Sequence, residues 1–348
     1  MLNIKAKAAM RHRSPDTQGV YQKTICPSHF AIRHFSPSRI PLFLLQKSFI
    51  NRQRFSSIKK ELIAAKIMSL TIFLALLLSC ATISSPSTES VQPQWKPFAE
   101  DTVDGLAYFA GRATHPGIDF HALRIDLANA ELQIVVAAGG GDADTVLSTK
   151  ISSFVRANNL LAGINALPFS PVSGKEGEER TNLGIVVADG VMISPPSPGY
   201  DALVLYADRR EAIVAQSDIA SVESEGIENA VGGFQRILEG GELVQRVLDV
   251  NVRHPRSAAG ISRDGRFLYL LVIDGRRLGS IGATEAETAV VLRALGASEG
   301  INFDGGGSSA LVLRQPNGKV RAVNIPIHDF ILGRERAVAG CLGVKARF

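Results

Sequence analysis

Cysteine is scarce in this chain. Three cysteines in 348 residues, Cys26, Cys80 and Cys341, allow no disulfide framework and no cysteine-based zinc site in the folded part. Histidine offers no metal site either: His115, His121, His254 and His328 lie far apart, no HExxH spacing occurs, and no zinc is expected. The glycine run at residues 305–307 is followed by serine rather than lysine and no dinucleotide fingerprint occurs, which argues against a nucleotide hydrolase. The absence of a Gly-x-Ser-x-Gly elbow removes the usual signal for a serine hydrolase. Past residue 67 there is no basic stripe with interleaved aromatics, so nucleic acid is not expected as a partner.

Acidic residues are almost missing from the first part. Residues 1–67 hold thirteen Lys or Arg against Asp16 and Glu61, whereas the remainder holds 25 basic and 31 acidic residues. The overall net charge of +5 therefore misrepresents the folded part, which is mildly acidic. Residues 67–79 form an uncharged apolar run, too short to span a bilayer comfortably, that ends in Leu77-Leu78-Ser79-Cys80. This resembles a bacterial lipoprotein signal over residues 59–80, in which Cys80 would be lipidated and would anchor the protein to the cell envelope. The Ser/Thr/Pro-rich tract that follows, up to residue 98, reads as a tether. Residues 1–58 read as an extension upstream of a start near Met68 or a little before it, the alternative being an Arg- and Ser-rich transit segment.

From about residue 99 the chain reads as short strands with few helices, an α+β domain on a mainly antiparallel or mixed sheet with two or three helices. "HALRIDLANAELQIVVAA" looks like a hairpin, residues 121–127 and 131–138, turning at Asn129. "LGIVVADGVMI" and "DALVLYADRREAIVA" read as further hairpins, and "RSAAGISRDGRFLYLLVIDGR" as another, turning at Asp264-Gly265. The strand from Phe267 to Ile273 is apolar on both faces and belongs in the middle of a sheet. Ile151, Phe154 and Val155 have helical spacing. Thr284 and Glu287 form a capping box for a second helix, and Gly296 stands where that helix should end in left-handed backbone. The Pro-rich stretch "GVMISPPSPGYDAL" reads as a surface loop that could act as a lid.

The segment "EGINFDGGGSSALVL" places Asp304, Gly305, Gly306, Gly307, Ser308 and Ser309 between two apolar runs. A linker does not usually interrupt a core in this way. A tight loop does, with glycines in backbone angles closed to other residues and successive N–H groups forming a nest for a phosphate or oxyanion. Ser308 and Ser309 add hydroxyls, and Asp304 at the strand end would face the nest. Arg253 and Arg256 flank His254-Pro255, which can aim Arg256 for bidentate capture of a phosphate or carboxylate. Asp274, like Asp304, ends a strand and precedes glycine, so the two could sit at one sheet edge. Such a pair can divide acid and base roles in glycoside cleavage or hold a divalent cation. No dedicated ligand set accompanies them, so no cofactor is expected. Asn165, also at a strand end, is a candidate partner for a sugar hydroxyl.

Taken together, "RHPRSAAGIS", "DGRRLGSIGATEAETAVVLRALGAS", "GINFDGGGSSALVL" and the closing "VNIPIHDFILGRERAVAGCLGVKA" resemble the phosphodiester glycosidase domain family over roughly residues 100–348. The resemblance implies hydrolysis of a sugar-1-phosphodiester between anomeric carbon and phosphate. It implies catalytic roles for Asp304, Arg256 and Asp274. It also implies substrate contacts from Asn165, Arg276 and the loop 305–309. Two positions depart from the family pattern: Ser257 stands where Thr is usual, and His254 where Asn is common. The expected partner is a phosphorylated glycan of an envelope or exopolysaccharide. The alternative is an envelope lipoprotein that binds such a glycan without cleaving it.

Overall fold

The computed structural model describes residues 95–97 and 104–347, apart from residues 115, 137–144, 209–210, 220–225 and 250. The expected signal segment with Cys80, residues 1–58, nearly all of the expected tether and His115 lie outside the described residues.

Mainly antiparallel sheets make up the fold, with three short helices among the described residues. The central strand expected from "FLYLLVI" is where it should be. Phe267–Ile273 pairs on one side with Gly117–Asp126 and on the other with Arg256–Ser262. Its Leu268, Leu270 and Val272 join one apolar cluster, and Tyr269, Leu271 and Ile273 join another on the opposite face. At roughly 1.5–3 kcal/mol for each fully buried large apolar side chain, this strand ties two layers together. The same eight-stranded sheet continues outward to Ala297–Asn302 and Gln235–Glu239 on one side and to Leu106–Thr114 on the other.

Two five-stranded sheets complete the main frame. One is built around Asp201–Tyr206 and Ile227–Gly232, the other around Ala162–Asn165 and Cys341–Ala346. Leu203 and Val231 from the first, Ile164 and Leu342 from the second, and Leu123 and Ile301 from the large sheet all meet in one core. The helix Glu285–Leu295 covers the far face of the large sheet with Ala289, Leu292 and Leu295. It begins with the expected capping box, Thr284 Oγ1 accepting the Glu287 N–H at 3.1 Å, and ends at Gly296 with φ 115°. The helix Ile151–Ala157 covers the other face of the third sheet in the same way. No helix among the described residues is long and apolar enough to cross a membrane.

One expected pairing is corrected. Residues 121–127 and 131–138 do not form a hairpin. Gly117–Asp126 stays in the large sheet, while Leu132–Val136 crosses over and pairs with Cys341–Ala346 at the chain's other end. Leu132, Ile134 and Val136 face the shared core from their own sheet, so alternation alone fits either pairing equally well. The expected hairpins at Asp189-Gly190 and Asp264-Gly265 are present. The first has positive φ at both turn residues, 49° and 79°.

Candidate active site

Three strands of the large sheet end together at one edge. Arg256 opens its strand opposite Ile273, and Ala258 lies opposite Asn302. The strands leading into Asp274 and Asp304 therefore flank the strand of Arg256, their backbones about two strand spacings, roughly 9–10 Å, apart. Beside this edge lies a cleft of about 340 Å³ lined by Arg256, Arg276, Glu285, Asn302, Asp304, Gly305–Gly307, Arg336, His254 and Phe234.

The loop after Asn302 is fixed by hydrogen bonds to its neighbours. Phe303 is fully buried and its N–H donates to the Ser257 carbonyl at 2.8 Å. The Asp304 N–H donates to the Ala166 carbonyl at 2.7 Å, and Asn165 Nδ2 donates to the Asp304 carbonyl at 2.6 Å. Asn165 Oδ1 accepts from Ser257 Oγ at 2.7 Å and from the Ala310 N–H at 3.2 Å. Asn165 is thus spent on holding the loop and does not line the cleft.

The backbone nest expected from the glycines is not what they provide. The Gly306 N–H donates to the Pro255 carbonyl at 2.8 Å, and the Ser308 N–H turns back to Gly305 at 3.1 Å. What the glycines give is close approach. Gly306 has φ 62°, and a Cβ there would meet Arg276 Nη2 at 2.9 Å; a Cβ on Gly307 would meet Arg336 Nη2 at 2.5 Å. Two guanidinium groups therefore lie directly on the loop backbone. Anion attraction in this cleft comes from arginines more than from peptide N–H groups.

Asp304 is partly open to the cleft but enclosed by protein on most sides, and burial pushes its carboxyl up to about 6, against the opposing pull of the Ser308 hydroxyl, Arg336 and the Gly305 N–H. Ser308 Oγ in turn accepts from Arg336 Nη1 at 3.2 Å. Ser308 and Ser309 are both buried and neither lines the cleft. Arg336 Nε donates to His328 Nδ1 at 3.2 Å, which leaves the proton of a neutral His328 on Nε2, 3.3 Å from Asp329 Oδ2. Burial lowers the pKa of Arg336 and of His328 alike.

Arg256 is buried and well braced. Its Nε donates to the Ala283 carbonyl and its Nη2 to the Val252 carbonyl, both at 3.0 Å, and its Nη1 lies 3.5 Å from Glu285 Oε1. Two of its five N–H groups keep no partner among the described residues. Arg276 differs: it is exposed, its backbone has φ 57°, and among the described residues its guanidinium has no carboxylate partner, lying 5.7 Å from the centre of the Phe330 ring. Arg253 is not part of the cleft, being held by Glu287 at 2.6 and 2.5 Å.

Asp274 occupies the same sheet edge as Asp304 but turns the other way. Its Oδ1 accepts the Ile325 N–H at 2.9 Å and its Oδ2 accepts from Arg277 Nη2 at 2.8 Å. It lines a neighbouring hollow with Asp119, His121 and Arg112. The two carboxylates that share the cleft are Asp304 and Glu285, so the expected pairing of Asp304 with Asp274 is corrected. The Pro-rich loop 195–200 is tied down by the Ser197 N–H to Gln216 Oε1 at 2.8 Å and is not among the lining residues.

Sequence reasoning missed Glu285, Asn302, Phe234 and Arg336. Arg336 stands in a segment that carries the resemblance, but no local pattern marks it off from its neighbours. Asn302 carries a further signal. It is 1 % exposed, it lines the cleft, and its Oδ1 has no hydrogen-bond partner among the described residues; neither has His254 Nδ1. Buried polar atoms without partners are rare in folded proteins, and here two belong to residues lining one cleft. No three His, Cys, Asp or Glu side chains gather as a metal site among the described residues.

The fold is shared with a solved structure. The zebrafish N-acetylglucosamine-1-phosphodiester alpha-N-acetylglucosaminidase catalytic domain, auto-inhibited by its pro-peptide, superimposes with a TM-score of 0.52 at 19 % identity, covering 73 % of this chain and 87 % of that one. A hypothetical protein from Synechocystis matches at a TM-score of 0.49 and 14 % identity, over 70 % of this chain and 63 % of the other. An uncharacterized SPbeta prophage-derived protein of Bacillus subtilis (strain 168), YomE, is 27 % identical over 173 residues, which is 47 % of this chain and a quarter, 25 %, of that relative's length. The sequence model of the phosphodiester glycosidase family matches residues 158–345, a stretch that contains every residue lining the cleft. The chain belongs to that family.

Proposed function

We propose that the protein hydrolyses a sugar-1-phosphodiester, parting the anomeric carbon from the phosphate oxygen, in a phosphorylated glycan of the cell envelope or an exopolysaccharide. The observation that carries this reading is the gathering of Arg256, Arg276 and Arg336 with Asp304 and Glu285 around one cleft. A phosphodiester brings one negative charge, which the arginines attract. As the anomeric bond breaks, its electron pair leaves with the phosphate, and the free N–H groups of Arg256 and Arg276 stabilise that growing charge. A phosphomonoester is a good leaving group without protonation, so the first demand on the protein is for a carboxylate near the sugar. Asp304 meets it in ionised form: it takes a proton from water as the water oxygen attaches to the oxocarbenium-like carbon. Asn165 acts indirectly, by holding the Asp304 loop.

The site of action follows from the signal-like segment before Cys80: we place the protein outside the cytoplasm, lipid-anchored at the envelope. Labelling with a radioactive fatty acid, lost in Cys80→Ala, checks this point.

The central experiment measures free sugar released from N-acetylglucosamine 1-(methyl phosphate) by the purified protein. Asp304→Asn and Arg256→Ala should each lower kcat/KM by roughly 10²–10³-fold. Undiminished turnover in both overturns the assignment. Binding of the ester without release would instead support the non-catalytic glycan-binding reading.

A further inference from the structure

Beside the arginine cleft the protein shows aliphatic and aromatic side chains to solvent. Phe330 is 82 % exposed, Leu332 63 % and Ile331 50 %. Scattered exposed apolar residues are ordinary, but a group beside a binding cleft marks a contact surface. Phe330 lies under the Arg276 guanidinium at 5.7 Å, and the hairpin that carries it with Ile331 and Leu332 begins at Ile327–His328, whose His328 accepts from the lining Arg336. Phe330 is thus joined to the cleft through a lining arginine whose guanidinium has neither an ion pair nor a hydrogen bond among the described residues.

The backbone at Phe330 supplies a second, independent observation. Ile327–His328 pairs with Ile331–Leu332, leaving a two-residue turn, Asp329-Phe330, with φ 52° and 58°. Turns with both central residues at positive φ strongly favour Asn-Gly or Asp-Gly, because a bulky side chain is strained there. Aspartate fits its position. Phenylalanine does not fit the next one, and it buries almost nothing of its ring in return. Such strain is kept where the surroundings require it and the side chain has a use. Here it aims an aromatic ring at the mouth of the cleft.

We propose that the Phe330 platform, with Ile331 and Leu332 of the same hairpin, receives the group esterified to the far side of the phosphate, and that this group is apolar, a lipid-like alcohol. The proposal rests on the hydrolase reading above and narrows it to sugar phosphodiesters with a hydrophobic leaving half. In that pose Arg276 binds the phosphate on its edge and Phe330 on its face, so the charged and apolar parts of the leaving group are recognised side by side.

The test compares N-acetylglucosamine 1-(methyl phosphate) with its octyl ester. In the unaltered protein kcat/KM should favour the octyl ester by about tenfold, what burial of some two methylene groups gives. Phe330→Gly removes the ring and leaves Asp-Gly, a better sequence for this turn, so the variant should fold at least as stably and its octyl-to-methyl ratio should fall to about one. Equal rates on both esters in the unaltered protein, or a ratio kept in Phe330→Gly, overturns the proposal; so does unfolding of that variant, which would make Phe330 a structural residue. A dimer dissociated by Phe330→Gly, or adsorption to phosphatidylcholine vesicles without ester preference, would give the surface to self-association or to a bilayer and overturn it as well. If neither ester is cleaved, the hydrolase reading fails separately. Calorimetry with octyl phosphate against methyl phosphate then decides the platform, with tighter octyl binding lost in Phe330→Gly as the expected result.

Discussion

Replacing Asp304 with asparagine offers a test of the site's electrostatics that does not depend on knowing the substrate. In the folded protein burial lifts this carboxyl from 3.8 to about 6. The native state therefore holds a proton that the unfolded chain has already released between those two values. Stability falls as pH rises through this window, and the loss reaches about 3 kcal/mol once the group is fully ionised in both states. Asparagine does not titrate and shows no such loss. The hydrogen bonds that the substitution alters, to Ser308 and the Gly305 N–H, add a contribution that does not change with pH and so drops out of a comparison between two pH values. Urea unfolding at pH 4.5 and 7.5 should then show the stability of Asp304→Asn relative to the unaltered protein rising by about 2 kcal/mol between them. A difference that stays flat, within about 0.5 kcal/mol, would show that Asp304 is not destabilised by burial. A difference of opposite sign would mean that Arg336 dominates and holds the carboxylate ionised. The same variant should lose turnover at every pH.

The pH dependence of activity gives a companion measurement: kcat/KM should rise with pH through about 6 as Asp304 ionises. Arg336→Gln removes a cation that favours the ionised form, and should move this rise to higher pH. Arg276→Ala should raise KM for a diester about tenfold or more, the scale of one charge-assisted hydrogen bond, and weaken competition by inorganic phosphate in a titration of both. Gly307→Ala would set a Cβ 2.5 Å from Arg336 Nη2, and its kcat should fall with little change in the urea midpoint. Thr284→Ala breaks the capping box of the helix that carries Glu285, and should cost about 1 kcal/mol in urea unfolding.

Much of the local structure is legible because local rules decide it. The doubly apolar "FLYLLVI" can be satisfied only between two layers, Thr284 and Glu287 cap each other across three residues, and Asp189-Gly190 suits a turn of positive φ. The pairing of Leu132–Val136 with Cys341–Ala346 is not legible, since the same alternation serves a neighbouring hairpin or a strand at the far end of the chain. The site divides in the same way. The Asp-Gly-Gly-Gly-Ser-Ser segment and Pro255-Arg256 announce themselves by unusual composition at strand ends. Glu285 sits in a helix whose first-turn acids read as capping chemistry, and Arg336 follows a surface hairpin. The direction of Asp274 is set by the Ile325 N–H and Arg277 and by nothing within its own strand.

The charge pattern of the cleft explains why the protein needs three arginines. Arg256 has Glu285 beside it at 3.5 Å, and Arg336 acts on Asp304 through their shared partner Ser308 and through charge, so the two carboxylates offset two of the three guanidinium groups. Arg276 is left over, and it is the one held in left-handed backbone and propped on an aromatic ring instead of on a carboxylate. An unmatched cation is costly to keep near two others, because each lowers the affinity of the rest for their protons: Arg276 is among the groups that lower the pKa of Arg336. That cost is relieved when a monoanion enters, and a phosphodiester carries one charge where a phosphomonoester carries nearly two. With Asp304 protonated the excess becomes two, but at that pH a phosphomonoester, whose second pKa is also near 6, is itself mostly a monoanion. On the proposed reading, charge separates a diester from a monoester dianion where Asp304 is ionised, which is also the form of Asp304 that can accept a proton from water. The proposed function thus ties substrate selection and catalysis to a single carboxyl group, Asp304, whose burial would set the pH at which both begin.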